Sequence, residues 1–308
     1  MNTYHIGFAY DTEYDQDFID ILEAGASAAG LGSYRVNTWN LEETYSLIQD
    51  RSLNFLSYYD RASDTSPNFY KLYRLLEKRN AFILQLLKKQ ELAADKALMH
   101  RQFQKAHIPV PRTIVLEKPA DGSDCRIVDH DLKHFKRPFV VKPAVNTGAS
   151  SGVNLNAFTV QDIHQTCRFG GDFKYLVQQK INEKQTEKRK FWFRVFYVCG
   201  TVYSCWWDPQ THRYEEVTDR QIGLYHLQPL ADMIKKIADN CELQFFSTEL
   251  ACDSTDRFYA IDYVNEICDM RLQSKNFDGV PDDLVRKIAS SIINYIKLNL
   301  NYSTRLFE

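Results

Sequence analysis

No apolar run in the sequence comes near the roughly 20 residues that a membrane-spanning helix needs, and the first residues lack the basic stretch and apolar core of a signal peptide. A cytoplasmic chain without membrane partners is the expectation. Cysteine is sparse and unpatterned. Its seven residues (Cys125, Cys167, Cys199, Cys205, Cys241, Cys252 and Cys268) form an odd set with no C-x-x-C spacing, which suits neither a disulfide framework nor a zinc knuckle. Net charge is nearly absent too: a formal −2 gives no field that would draw nucleic acid, and no local motif replaces it. Repeats and low-complexity tracts are missing. Neither G-x-G-x-x-G nor G-x-x-x-x-G-K-[ST] occurs, so the Rossmann and P-loop nucleotide classes lose support.

What is present is a globular balance, 44% hydrophobic and 25% charged over 308 residues, enough for two or three units with cores of their own. Up to about residue 88, strand and helix signals alternate. Extended runs at 4–9, 34–38, 53–59 and 81–85 are separated by helical spacing at 18–29, 41–50 and 69–79. This order predicts a parallel sheet covered by helices. Ligands of such sheets sit at the carboxyl ends of strands, which draws attention to the loop Asp60, Arg61, Ala62, Ser63, Asp64. The same loop also reads as the lead into a helix, with Asp64 or Ser66 as N-cap before Pro67.

From residue 95 the pattern changes to α+β. A helix over 95–106 leads into Ile108-Pro109-Val110-Pro111, whose prolines impose an extended exit. Strands are predicted at 112–116, 139–142, 175–179, 191–198, 201–207, 245–252 and 258–264, with helices near 160–167, 229–240 and 282–298. The polar run 182–190 reads as a loop. The units expected are 1–90, a parallel-sheet α/β domain, then 91–180 and 181–308, two α+β lobes.

Three segments carry chemistry. The strand 138–144 (PFVVKPA) delivers Lys142 at its end and is followed by Thr147, Gly148, Ala149, Ser150, Ser151 and Gly152. Small residues let backbone N–H groups approach a polyphosphate while the lysine supplies a cation; a plain hairpin loop is the competing reading. Near the C-terminus, the polar cluster 253–256 marks a turn between two apolar strands. A turn of that length puts Glu249 opposite Asp262 with Cβ atoms roughly 5 Å apart. Such apposed carboxylates repel each other unless a cation or a proton lies between them, and hard oxygen donors suit Mg²⁺; a pair of carboxylates at a solvated sheet face is the competing reading. Third, alternation over 191–198 places Trp192, Arg194, Phe196 and Val198 on one face. An arginine among aromatics serves either an anion or cation–π packing.

Taken together, Asp95-Lys96 opening a helix, the Ile-Pro-Val-Pro exit, Lys142 with its Gly/Ser loop, the arginine strand and the final acid, acid and Asn resemble the ATP-grasp superfamily. The N-terminal sheet is similar to that family's pre-ATP-grasp domain. The loop 60–64 and the segment 194–200 lean towards ligases of the ribosomal-S6-modification and glutathione-synthetase type. The resemblance implies that Lys96 and Lys142 grip the phosphates of ATP while Gly148, Ser150, Ser151 and Gly152 close over them. It implies that Gln178, Gln179, Lys180 and Ile181 form the hinge that reads adenine, with Glu183 or Glu187 at the ribose. By the same resemblance Arg194 would face the γ-phosphate, and Glu249, Asp262 and Asn265 would hold Mg²⁺, or Mn²⁺ in its place. Substrate would meet Arg61, Asp64, Arg271 and Ser274, with Arg194, Lys142 and Arg271 as the catalytic cations.

The activity implied is ligation of a small-molecule or peptide carboxylate to an amine or thiol, through an acyl phosphate, with release of ADP and phosphate. Phosphotransfer and non-catalytic ATP binding are the alternatives on the same fold, and some relatives are homo-oligomers. Three departures stand out, one of them in the hinge, which carries Gln179 where many relatives have Glu. Metal strands of the family usually read acid-x-Asn, whereas Asp262 and Asn265 are three apart and need a bulge to converge, with Glu266 as a substitute ligand. Trp192 stands where related ligases often place an acid.

Overall fold

The computed structural model describes residues 2–64, 66–117, 125–145, 152–169, 174–187 and 189–305. Its first unit runs β1 (Asn2–Tyr10), α1 (Gln16–Ala28), β2 (Ser33–Val36), α2 (Leu41–Gln49), β3 (Leu53–Arg61), α3 (Pro67–Lys78) and β4 (Phe82–Leu84). The strands pair in parallel in the order β2-β1-β3-β4. Helical spacing decides the cover: α3 buries Phe69, Leu72, Tyr73 and Leu76, one stripe of a period-3.6 helix, and starts at Pro67 after an extended Ser66. Ser66 occupies the cap position without a side-chain cap bond. Asp60 turns the chain instead, its Oδ1 accepting from the N–H groups of Ala62 and Ser63.

Two helices in series follow, α4 (Leu87–Ala94) and α5 (Lys96–Lys105). The sequence pattern gave no sign of α4, and it places Asp95 inside the second helix. Asp95 is in fact extended and is the N-cap of α5, accepting from the N–H groups of Ala97 and Leu98. The second unit is an antiparallel sheet, β5 (Thr113–Leu116), β6 (Phe139–Pro143), β7 (Asn154–Ala157) and β8 (Tyr175–Gln179) in the order β5-β8-β6-β7, with α6 (Val160–Phe169) packed on it.

The third unit begins with a correction. The run 182–190, read as a loop, contains a short two-stranded ladder of β9 (Gln185–Thr186) and β10 (Arg189–Lys190). Its side chains are all polar and leave no alternation of hydrophobicity to detect. Then come β11 (Trp192–Val198), β12 (Thr201–Asp208), β13 (Arg213–Glu216), α7 (Asp219–Tyr225), α8 (Gln228–Cys241), β14 (Phe245–Cys252), β15 (Phe258–Asn265) and α9 (Asp282–Arg305). The five strands form an antiparallel sheet in the order β13-β12-β11-β14-β15. One face packs on α8 and α5 through Ile234, Ile237, Phe193 and Phe103.

The other face shares a core with the first unit: Phe196 and Val198 meet Ile288 and Ile292 of α9 and Phe18 and Leu22 of α1. Gln85 strengthens that joint. Its buried amide donates to the carbonyls of Phe245 and Glu266 and accepts from the N–H groups of Gln244 and Phe245. The seven cysteines are free. Among the described residues no helix is long and apolar enough to cross a membrane.

Candidate active site

The register of the large sheet assembles one row of side chains. Arg194 pairs directly with Glu249, and Glu249 with Asp262, so the three lie side by side across β11, β14 and β15. Arg194 Nη2 donates to Glu249 Oε1 at 2.5 Å, and Trp192 Nε1 donates to Glu249 Oε2 at 3.1 Å. The Arg194 guanidinium also lies 4.9 Å from the Trp207 ring centroid, so the ion-pair and cation–π roles coexist. Burial works against the Arg194 charge, yet Glu249, Tyr214 and Asp262 hold its pKa above the ordinary arginine value.

Two lysines reach this row from the second unit. Lys96, the first residue of α5, places Nζ 3.1 Å from Asp262 Oδ1, while its backbone N–H donates to the Ala144 carbonyl. Lys142 at the end of β6 donates from Nζ to the Ile261 carbonyl at 2.8 Å. Burial pushes the Lys142 ammonium down to about 8; Asp262 and Glu249 oppose the shift and Lys96 adds to it. Burial raises the Asp262 pKa, but Lys96, Lys142 and Arg194 outweigh it and hold the carboxyl below the usual carboxylate range. Five charged groups, two anions among three cations, thus converge where the two sheets meet.

The Asp262 to Asn265 spacing has a structural answer. The β14–β15 ladder is irregular on both sides of Glu249: Ser247 pairs with Asn265, Glu249 with Asp262 and Leu250 with Ala260. Each step adds one residue to β15, and Ile261, left without a register partner in the second step, is the residue whose carbonyl receives Lys142. Asn265 therefore sits at the strand end beyond a bulge. Burial raises the Glu266 pKa. Among the described residues no group of three or more His, Cys, Asp or Glu gathers to hold a metal. The donors that fit Mg²⁺ are the two facing carboxylates and the Asn265 amide, a set suited to a cation that completes its shell with phosphate and water.

The hinge residues divide. Gln178 is buried, donating from Nε2 to the Tyr263 hydroxyl at 3.0 Å, and that hydroxyl lies 2.7 Å from His100 Nδ1. Burial, reinforced by Lys142 and Arg101, lowers the His100 pKa to about 4. Gln179 brackets Lys136, accepting from its N–H and donating to its carbonyl. Lys180 reaches Asn156, and Ile181 is half-buried where the chain crosses between the sheets. Glu183 bridges to Asp253 by backbone and accepts from Gln185 Nε2, while Glu187 is exposed. Gly148, Ser150 and Ser151 lie outside the described residues. Gly152 has φ +71°, and a Cβ there would stand 3.1 Å from Pro143, so the exit of this segment is built for glycine.

The substrate cations are differently placed. A cavity of about 390 Å³ opens between Asp15, Arg61 and Asp64 of the first unit and Asp269 and Arg271 after β15. Arg61 and Arg271 are both already engaged. Arg61 donates from Nε and Nη2 to Asp15 and from Nη2 to the Cys268 carbonyl, and is buried. Arg271 grips Asp269 and Asp278. Asp64 lines the cavity, and partial desolvation there, the largest influence on its carboxyl, raises its pKa. Ser274 is tied to Asp282 at the start of α9. Arg61 is thus a strut between the first unit and the loop after β15. Arg61→Ala strands the buried Asp15 carboxylate and should lower the unfolding free energy by about 3–5 kcal/mol, measured by urea denaturation.

Sequence reading missed Asp15, Gln85, His100 and Tyr263. The last three are single polar positions inside apolar or helical patterns, and no spacing rule distinguishes them. A second cavity, of about 470 Å³, is lined by Trp206, Trp207, Tyr214, Arg189 and Lys190.

Comparison with solved structures shows that the chain has the ATP-grasp fold. It is similar to a RimK-domain ATP-grasp protein from Sphaerobacter thermophilus, with TM-score 0.60 and 17% identity over 94% of this chain and 98% of that one. It is also similar to the D-alanine–D-alanine ligase of Bacillus anthracis in complex with ATP, with TM-score 0.63 and 13% identity over 99% and 100% of the two chains. The macrocyclase MdnC of Microcystis aeruginosa, bound with its precursor peptide MdnA, matches with TM-score 0.60 and 12% identity over 94% and 99%. No protein-family model matches the sequence, and no curated protein does.

Proposed function

We propose that this chain is an ATP-dependent ligase that joins a carboxylate to an amine through an acyl phosphate. The observation that carries the reading is the row Arg194, Glu249, Asp262 met by Lys96 and Lys142 across the junction of the two sheets. Nucleotide enters between these sheets, with its adenine against the crossing at residues 178–181 and its phosphates against the two lysines. Glu249, Asp262 and Asn265 would hold Mg²⁺, which would supply charge neutralisation at the phosphates. A carboxylate oxygen of the substrate attacks the γ-phosphorus, the bond to ADP breaks, and Lys142 and Arg194 offset the charge that spreads over the transferring group. The amine nitrogen then attacks the acyl carbon, the C–O bond to phosphate breaks, and one proton leaves the nitrogen.

The acid substrate and the amine fill the cavity beside Asp64. Residues 1–90, 91–180 and 181–308 act as the three working units, the first and third clamped by α9 and Gln85. Peptide substrates fit this reading as well as small molecules, since the similar MdnC is a macrocyclase bound with a precursor peptide.

The lowered pKa of Lys142 gives a direct test of nucleotide placement. A bound triphosphate favours the ammonium form, so binding raises the pKa from about 8 and takes up a proton at pH above that value. Uptake should be larger at pH 8.5 than at pH 7, and affinity should weaken as pH rises through about 8. Calorimetry of ATP binding in buffers with different ionisation heats reads this uptake. Heats independent of buffer at pH 8.5 would remove Lys142 from the phosphate site.

A further inference from the structure

The contact between Trp192 and Glu249 is not explained by packing alone. Trp192 lies two residues before Arg194 on β11, on the same face, and opposite Ala251, which makes Glu249 its diagonal neighbour. The indole N–H is a donor with no acceptor capacity. It takes Glu249 Oε2 while Arg194 takes Oε1, so each carboxylate oxygen is fixed by one donor and keeps lone-pair capacity. With only the Arg194 contact, the carboxylate could swing about that single bond. With both, its plane is set, and its registered neighbour Asp262 is held independently by Lys96.

The indole is itself held in place, packed against the core formed by Phe196, Trp207 and α9. A positioning group needs that rigidity. An acid at this position would put a like charge diagonal to Glu249, whereas an indole supplies a hydrogen bond and no charge.

We propose that Trp192 is a positioning residue for the metal-holding carboxylate of Glu249, and that it sets the affinity of this chain for its divalent cation. The proposal rests on the reading of Glu249 and Asp262 as metal holders. Partners one step removed from a metal typically change its affinity by about 10- to 100-fold when lost. Trp192→Phe keeps an aromatic ring and removes only the N–H donor. Trp192→His returns a ring donor.

The test measures Mn²⁺ binding by electron paramagnetic resonance in the presence of ADP for the wild type, W192F, W192H and Glu249→Gln. W192F should bind Mn²⁺ about 10- to 100-fold more weakly, and W192H should recover part of that loss. The Mg²⁺ concentration for half-maximal ATP turnover should rise by the same factor in W192F, with kcat at saturating metal within about two-fold of wild type. Indole fluorescence should respond to metal in the wild type and lose part of that response in W192F, Trp207 remaining beside Arg194. A merely structural role would lower thermal stability without moving the metal dependence. Wild-type Mn²⁺ affinity in W192F, with weakened binding in E249Q, overturns the role of Trp192 and leaves the metal site standing. Wild-type affinity in E249Q overturns both.

Discussion

Glu249→Gln should lower ATP turnover by roughly 10³-fold, which corresponds to the several kcal/mol that a metal ion contributes to stabilising charge in a transition state. The substitution keeps the size of the side chain and removes its negative charge. Its amide can still accept from one of the two donors, Trp192 or Arg194, and cannot satisfy both as an acceptor on both atoms. Arg194 then loses its ion-pair partner in a largely buried position. A stability loss of a few kcal/mol is therefore expected beside the catalytic one. Turnover is to be compared at a temperature where circular dichroism shows both proteins folded, by coupled measurement of ADP release. Activity within ten-fold of wild type would mean that Glu249 holds no metal needed for phosphoryl transfer.

Lys142→Met should have the opposite signature, with activity lost and stability kept. Removing one preorganised charge-stabilising donor costs about 10²- to 10³-fold in kcat, and weaker ATP binding should accompany it. Stability follows from the sign of the pKa shift. Lys142 is pushed below its ordinary value, so the folded protein binds fewer protons than the unfolded chain between pH about 8 and 10.5, and stability gains from this group as pH rises through that window. Below pH 8 the full penalty for keeping the buried group charged is present, on the order of 3 kcal/mol. Met relieves that penalty and leaves the Ile261 carbonyl without its donor, a loss of about 1–3 kcal/mol. Urea denaturation at pH 7 should find the variant at least as stable as wild type. A large destabilisation would make Lys142 a structural tie between the sheets.

The sequence made some of this site legible, for definite reasons. Glu249 facing Asp262 could be read because a short polar turn between two apolar strands fixes antiparallel register, and the structure has that pairing. Lys142 could be read because a strand end followed by small residues is an unusual context for a lysine. The parallel order of the first four strands followed from their alternation with helices. What stayed hidden depends on contacts between distant segments. Asp15 and Arg61 are 46 residues apart, and Gln85 bonds to Phe245 across 160. No local pattern encodes either.

Arg61 and Arg271 were expected to meet the substrate because an arginine beside the γ-phosphate can hold a carboxylate bidentately, through two N–H donors. Folding gives those donors to Asp15, Asp269 and Asp278. The Asp262 to Asn265 spacing looked like a departure from a rule until the one extra residue of β15 between the Glu249 and Ser247 pairings accounted for it. β13 and the β9–β10 ladder escaped because each is short and almost wholly polar, so hydrophobic alternation carries little signal there.

The most direct test of the central claim is the fate of the γ-phosphate. Purified protein is supplied with Mg-ATP and pooled carboxylic acids, amines and peptides, and ADP, free phosphate and product masses are followed together. The account predicts ADP and free phosphate in equal amounts, with a new mass equal to an acid plus an amine less one water. Phosphate retained on the product would make the protein a phosphotransferase, and ATP bound without turnover across the whole panel would contradict the assignment of a ligase.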